Sequence, residues 1–318
     1  MKNLLNKKNL ISLLIFTVLY VVVDFLITNR ILTPYYRTVI YWMGIYIILS
    51  LSLNIIIGIT GQLSLGHAGF MSIGAYSAAV VLITNPTLTG LFIGMAIGIA
   101  ITLVVSFVVA MPTLRLKGDY LAIATLGVGE IIRIIILNMT ITNGASGISN
   151  IKMLMSWPLL FGFVVLAIYL TNNFKKSAVG RACVAIKEDE IAAEAMGINT
   201  TKYKVMAFMF GAALASIAGS LYATTYYVVK PESFGVNTSI NILIIVVFGG
   251  MGSLSGSLIA TILIGIVNMV LQPYAEMRLI TYALVLIIVM IFRPQGLLGS
   301  KEIALNILPR FKRKETRA

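Results

Sequence analysis

The 318-residue sequence has a single cysteine, Cys183, a single histidine, His67, and only 11 acidic residues. One cysteine excludes a disulfide framework and a cysteine-based metal site, and one histidine excludes a site built from several histidines. Charged residues make up 11% of the chain, hydrophobic residues make up 59%, and mean hydropathy is +0.98. Soluble domains do not have this composition, so we predict a polytopic membrane protein.

The motifs of common catalytic and nucleotide-binding sites are also missing. The chain has no G-x-x-x-x-G-K-[ST] loop to cradle ATP phosphates, no H-E-x-x-H motif and no nucleophile–histidine–acid set. We therefore expect no enzymatic activity and no catalytic residue, metal site or cofactor in this chain. The net charge of +13 reflects basic residues beside anionic lipid at cytoplasmic helix ends, so no nucleic-acid partner is expected.

Long apolar runs predict an all-α fold of about ten transmembrane helices, with eight to ten as the range, some short or broken at glycine-rich segments. Basic residues cluster at the N-terminus, in a segment over 174–204 and in a tail over 293–318, and the positive-inside rule places all three in the cytoplasm. We count the run over 240–271 as two short spans, because this count leaves the basic tail in the cytoplasm. We expect one transmembrane domain over 1–318, with the last span over 281–292.

Small residues recur every four positions in three of these spans, which predicts close packing against neighbouring helices. The three sets are Gly90, Gly94, Gly98, Thr102, Ser106 and Ala110; Gly211, Ala215 and Gly219; and Ser253, Ser257, Thr261 and Gly265. A faint internal echo links two glycine-rich stretches, GQLSLGHAGF from 61 and GMGSLSGSLI from 250. Each follows an apolar helix and opens a small-residue one, which weakly favours a duplicated architecture.

The segment over 174–204, called here the charged segment, holds ten charged residues in 31 and must lie in water. It predicts a short helix that acidic residues open and Gly197 closes in a left-handed cap. One apolar face would dock on a cytoplasmic partner, because two turns of helix are not stable alone. The alternative is an ordinary solvated loop. The docking residues are Glu188, Asp189, Glu190, Ile191, Ala192, Glu194, Ala195, Met196 and Gly197.

Polar residues inside the spans are candidates for a translocation path or gate. Asn54, Gln62, Ser64 and His67 surround the glycine-rich break from residue 61, where they either line a path or satisfy freed backbone groups. Glu130 and Arg133 stand three residues apart within one span and are able to pair, as a structural tie or as transport residues. A membrane core with a docking element and no motor is typical of a permease driven by a separate ATPase.

The sequence resembles the membrane permeases of branched-chain amino acid ABC importers. The similarity covers roughly 54–299 and rests on blocks at 61–70, 114–133, 177–198, 249–253 and 293–299, which read GQLSLGHAGF, LRLKGDYLAIATLGVGEIIR, SAVGRACVAIKEDEIAAEAMGI, GGMGS and RPQGLLG. After Ser253 the family commonly has L-W-G-P, where this chain has Leu-Ser-Gly-Ser over 254–257. That difference affects the geometry of one turn.

The resemblance implies the fold, partners and location of an importer subunit. A second related permease, two cytoplasmic ATPases that bind the ATP, and an extracytoplasmic solute-binding protein are expected, in a bacterial cytoplasmic membrane. The implied substrates are leucine, isoleucine and valine. The alternative function is an ion-coupled secondary amino-acid carrier that uses Glu130 and Arg133, and such a carrier has no need of a cytoplasmic docking helix.

Overall fold

A computed structural model of the chain describes residues 7–29, 32–116, 118–271 and 296–299, together with Ile280, Leu284 and Ile287. The helices are α1 (Lys7–Thr28), α2 (Pro34–Asn54), α3 (His67–Thr84), α4 (Leu88–Thr113), α5 (Asp119–Asn138), α6 (Trp157–Lys176), α7 (Ala178–Glu188), α8 (Glu190–Ala195), α9 (Thr200–Thr225), α10 (Val236–Gly249) and α11 (Leu254–Val270). A π-helical turn (Ile55–Ile59) and short 3-10 segments (Thr140–Thr142, Gly144–Ser146, Pro231–Phe234) complete the helical structure. The described residues form no β-strand.

Within the described residues, seven helical stretches are long and apolar enough to cross a membrane. The shorter α11 is an apolar helix of 17 residues, and α1 has 22 residues. The predicted all-α polytopic membrane fold is thus confirmed. The run over 240–271 is broken after α10, as predicted, whereas the span expected over 281–292 lies outside the described residues apart from Leu284 and Ile287.

Local signals in the sequence account for most helix starts. Pro34 opens α2, where its missing N–H costs nothing. Thr87, Asn199 and Ser253 cap α4, α9 and α11 by accepting hydrogen bonds from backbone N–H groups in the first turn. Pro112 lies within the last turn of α4, which ends one residue later at Thr113.

The core of the bundle is the close packing of α3, α4 and α9. A Cβ on Gly74 of α3 would lie 1.9 Å from the carbonyl oxygen of Ser216, and one on Gly219 would lie 1.9 Å from that of Met71. A Cβ on Gly98 of α4 would lie 3.1 Å from the Cα of Gly74. Backbones come this close only where side chains are absent, which is how small residues hold membrane helices together.

The four-residue stripes predicted from the sequence are the buried faces of their helices. All six small residues of the α4 stripe are buried, while Val104 and Val108 on its other face are 65% and 63% exposed. The stripe of α11 packs on α2, where the hydroxyls of Thr261 and Ser50 lie 3.3 Å apart. These contacts confirm the predicted packing, and the exposed apolar faces suit surrounding lipid.

The connections that follow α5 and α9 meet at the end of the bundle away from the charged segment. Ile148 and Val229 exchange backbone hydrogen bonds of 3.0 and 2.9 Å. The hydroxyl of Tyr76 in α3 donates to the carbonyl oxygen of Val229 at 3.2 Å. The two connections therefore lie together.

Candidate functional site

The chain breaks its helical path between α2 and α3. After the π-helical turn, the amides of Thr60, Gly61 and Gln62 donate to carbonyl oxygens of that turn, and residues 61–66 are not helical. Gly61 has a φ of +72°, which favours glycine. A Cβ on Gly66 would lie 2.1 Å from the carbonyl oxygen of Thr125 in α5, so the broken segment runs against that helix.

A second break separates α10 from α11. Gly250 and Gly252 have φ values of 110° and 94°, in the left-handed region that side chains disfavour. Ser253 then restarts the helix by accepting from the amide of Gly256 at 3.1 Å. The substitution of the family's Trp and Pro after Ser253 leaves a regular helix start in place.

Asn54 joins the two breaks. Its side-chain oxygen accepts from the amide of Gly252 at 2.7 Å. Its side-chain nitrogen donates to the carbonyl oxygen of Ser253 and to the hydroxyl of Ser257, both at 2.9 Å. A Cβ on Gly58 would lie 2.3 Å from the Gly252 nitrogen, so the breaks are in direct contact. The end of α2 with its π-helical turn and the start of α11 therefore meet, and Asn54 satisfies freed backbone groups there.

Gln62, Ser64 and His67 are buried like Asn54 but have unpaired polar atoms. The His67 Nε2 lies 2.5 Å from the hydroxyl of Ser52, while its Nδ1 has no hydrogen-bond partner among the described residues. Neither polar atom of the Gln62 side chain has such a partner, nor does the Ser64 hydroxyl. Each unsatisfied buried polar atom costs about 1–3 kcal/mol, so this segment offers unused hydrogen-bonding capacity to water or a solute.

Glu130 and Arg133 form the predicted ion pair. The Arg133 Nε donates to the Glu130 carboxylate at 2.7 Å, and the two side chains are 25% and 26% exposed. Both lie near the start of α10, because a Cβ on Gly235 would be 3.9 Å from an atom of each. On the same helix, Gly129 packs on Gly66, where a Cβ would lie 3.0 Å from the Gly66 Cα. Glu130 therefore directly follows Gly129, the residue of α5 that contacts the first break.

The charged segment contains two helices where one was predicted. Glu188 ends α7 and does not open the docking helix, which is α8. Ser177 caps α7, and its residues Cys183 and Ile186 are buried at helical spacing against the bundle. Burial raises the pKa of the Cys183 thiol to about 12. The serine cap and this spacing were the signals that could have identified α7.

The ends of α8 are capped as predicted. Asp189 accepts from the amides of Ile191 and Ala192 at 2.9 and 3.0 Å. Gly197 has a φ of +81°, and the amide of Ile198 bonds back to the carbonyl oxygen of Ala193 at 3.0 Å. This is a Schellman cap, which explains the glycine.

The two sides of α8 differ in what they contact. On one side, Glu190 accepts from Lys204 at 2.6 Å and Glu194 accepts from Thr200 at 2.7 Å, which ties α8 to the start of α9. Ala193 is the buried residue of α8. Ile191 and Met196 are 78% and 82% exposed, and Ala192 and Ala195 are exposed too. None of the described residues therefore covers the apolar face predicted for docking.

Two lysines of the charged segment reach the breaks, although the sequence pattern indicated only that the segment is charged. The ammonium of Lys175, in the last turn of α6, donates to the carbonyl oxygen of Gly252 at 2.7 Å. The ammonium of Lys187, in the last turn of α7, donates to the carbonyl oxygen of Gly58 at 2.9 Å. The breaks and the charged segment thus form one connected structure at the same end of the bundle.

Among the described residues, this helical bundle has buried polar breaks with unsatisfied atoms and an exposed helix beside them, features typical of a membrane transport component. Comparison with known proteins specifies the class further. The family model described as the permease component of the branched-chain amino acid transport system matches residues 35–293. The chain belongs to this family.

Several curated proteins are similar to the chain over much of its length. The high-affinity branched-chain amino acid transport system permease protein LivM of Escherichia coli is 36% identical over 293 residues, covering 80% of this chain and 68% of that protein. The probable LivM of Methanocaldococcus jannaschii is 24% identical over 335 residues, covering 87% and 96%. The E. coli permease protein LivH is 34% identical over 137 residues, or 42% of this chain and 44% of LivH. No solved structure matches the chain.

Proposed function

We propose that the chain is the membrane-spanning permease subunit of an ATP-driven importer of branched-chain or related amino acids. One observation carries this proposal. The apolar face of α8 is exposed although α8 belongs to the charged segment, whereas the other exposed apolar faces belong to the spanning helices and suit lipid. Two cytoplasmic ATPases would bind the ATP, so the chain needs no cofactor of its own. A second permease, an extracytoplasmic solute-binding protein and membrane lipid are its other partners.

Family membership supports the substrate and the second permease. The relatives are named for branched-chain amino acid transport, so leucine, isoleucine and valine are the proposed substrates. E. coli has LivM and LivH as separate permease proteins, and both are similar to this chain. A related permease is therefore the natural partner in the membrane, and the two together would enclose the path.

The charged segment is the proposed cytoplasmic coupling loop of a single transmembrane domain. Its six basic residues favour the cytoplasm. Because six helices, α1 to α6, precede the segment, the N-terminus would lie on the same side of a bacterial cytoplasmic membrane. The basic tail over 293–318, which lies outside the described residues except for 296–299, would share that side. In this orientation α8 faces the ATPases, and Glu188 to Gly197 form the coupling element.

The broken segments are the proposed gate region. Gln62, Ser64 and His67 have polar atoms that a passing solute or water would satisfy, while Asn54 holds the two breaks together. Glu130 and Arg133 stand on the helix that contacts the first break. An ion-coupled carrier is disfavoured, because Glu130 and Arg133 already pair with each other and such a carrier would leave α8 without a role.

A transport assay separates the importer from the carrier. The chain purified alone into proteoliposomes should accumulate no leucine under a proton or sodium gradient. The complex with its second permease and ATPases should do so when ATP and the loaded binding protein are supplied. Gradient-driven uptake by the chain alone would contradict the proposal.

A substitution on α8 tests the docking face within that complex. Ala192→Arg puts a bulky charge on the exposed apolar face without disturbing the bundle, and in a groove it would be too large and unpaired. We expect normal membrane levels, reduced co-purification of the ATPases and lost uptake. Thr201→Arg, at an exposed position in the first turn of α9, is the matched control. If Ala192→Arg retains ATPase binding and uptake, α8 is not the docking element.

A further inference from the structure

The ammonium groups of Lys187 and Lys175 each bind a backbone carbonyl at one of the two breaks. Gly58 O lies at the end of the π-helical turn that follows α2, and Gly252 O lies in the turn before α11. The Gly58 carbonyl lies at a helix C-terminus, where it lacks an intrahelical partner and where a cation also meets the negative end of the helix dipole. The Gly252 carbonyl lies in a non-helical turn before α11, so the Lys175 bond supplies a partner to a carbonyl that no helix satisfies. The two bonds therefore have a clear local cause.

Lys187 lies where a movement of α8 would displace it. It stands two residues before Asp189, the residue that caps α8, and α7 and α8 are in contact. Its aliphatic part lies against the first break, because a Cβ on Gly61 would be 3.1 Å from the Lys187 Cγ. Cys183 and Ile186 anchor the rest of α7 in the bundle. A displacement of α8 therefore reaches the Lys187 end of α7 first.

The two breaks would respond together. Gly58 packs on Gly252, and Asn54 bonds to Gly252, Ser253 and Ser257 across the contact. Pulling Lys187 away from Gly58 O would leave a buried carbonyl unpaired at the point where both breaks meet. The orphaned side chains of Gln62 and Ser64 follow within the next six residues.

We infer that Lys187 is a positioning residue that links ATPase movement at α8 to the gate region, with Lys175 holding the second break to the same end of the bundle. This inference rests on the proposed function. It assigns to one side chain the step between the docking helix and the membrane breaks. The residue touches neither the substrate nor ATP.

The test compares ATP hydrolysis with uptake in the assembled complex. Lys187→Met keeps the aliphatic length and removes the hydrogen bond to Gly58 O. We expect ATPase co-purification and hydrolysis to be retained, while leucine uptake falls at least about tenfold, the lower end of the range that loss of a hydrogen bond to a charged group corresponds to. ATP consumed per leucine should rise by the same factor, and Lys187→Arg should restore much of the coupling. Lys202→Met, an exposed lysine of the same segment, is the control and should leave the ratio unchanged.

The outcomes separate this inference from the proposed function. If the unaltered complex shows no ATP-dependent uptake, the proposed function fails. If it does, and Lys187→Met keeps the original ratio of ATP to leucine, the inference is wrong. Should Lys187→Met fail to assemble, hydrogen exchange in the unaltered complex decides. The amides over 58–62 must then change their exchange when nucleotide traps the ATPases, and unchanged exchange there overturns the inference.

Discussion

Gly219 is one of the positions where adding one methyl group should do the most damage to the bundle. Its Cβ would lie 1.9 Å from the carbonyl oxygen of Met71 and 2.9 Å from the amide nitrogen of Ala75, and both of these are backbone atoms of α3. Backbone cannot rotate away as a side chain does, so Gly219→Ala must push α9 and α3 apart. The Cβ and the Met71 oxygen must separate by about 1.5 Å to reach an ordinary contact of 3.4 Å, and such a shift would also loosen the nearby contact of Gly74 with Ser216.

The magnitude follows from two opposing effects. Alanine favours a helix over glycine by about 1 kcal/mol. Overpacking costs typically about 1–3 kcal/mol and more where backbone must move. Gly219→Ala should therefore destabilise by about 2 kcal/mol or more. Gly162→Ala on α6 is the matched control, because a Cβ there meets nothing within 4 Å. That substitution should stabilise the protein by up to about 1 kcal/mol.

The stability of both variants is measured by thermal unfolding of the purified protein in detergent. The amount of protein that remains in solution reports the unfolding midpoint. We expect Gly219→Ala to lower the midpoint and Gly162→Ala to leave it equal or higher. Equal midpoints for the two variants would refute the close approach of α3 and α9. A large loss in Gly162→Ala would instead show that its open surface is covered by a partner chain.

Two further predictions concern the candidate gate. Glu130→Gln or Arg133→Gln alone should destabilise by about 1–3 kcal/mol, between exposed and fully buried pairs, and the double change should recover part of the loss if the pair is structural. A double variant that assembles yet transports nothing would assign the pair a direct role. Gln62→Leu removes two unsatisfied buried atoms, so thermal stability should hold or rise while uptake in the complex falls. Unchanged uptake would exclude Gln62 from the path.

Much of this protein followed from residues that are close in the chain. Small residues at every fourth position mark one helix face whatever surrounds the helix, so the buried stripes of α4, α9 and α11 could be predicted. Helix caps are equally local, which is why Gly197 was correctly expected to end α8. Glu130 and Arg133 are separated by less than one turn, and their pairing needs only a helix.

Residues far apart in the chain needed the tertiary structure. Asn54 and Gly252 are 198 positions apart, and no local pattern indicates that they share hydrogen bonds. Lysine side chains are long and flexible, so charge counting placed Lys175 and Lys187 in water, whereas their ammonium groups bind carbonyls at the breaks. The burial of α7 was missed for a related reason, since the charged residues around it predict an exposed segment, whereas α9 packs against it at Cys183. Sequence alone determines helices, caps and stripes because these depend on neighbours within a turn. Which freed backbone group meets which side chain depends on how the helices pack, and only the folded bundle decides that.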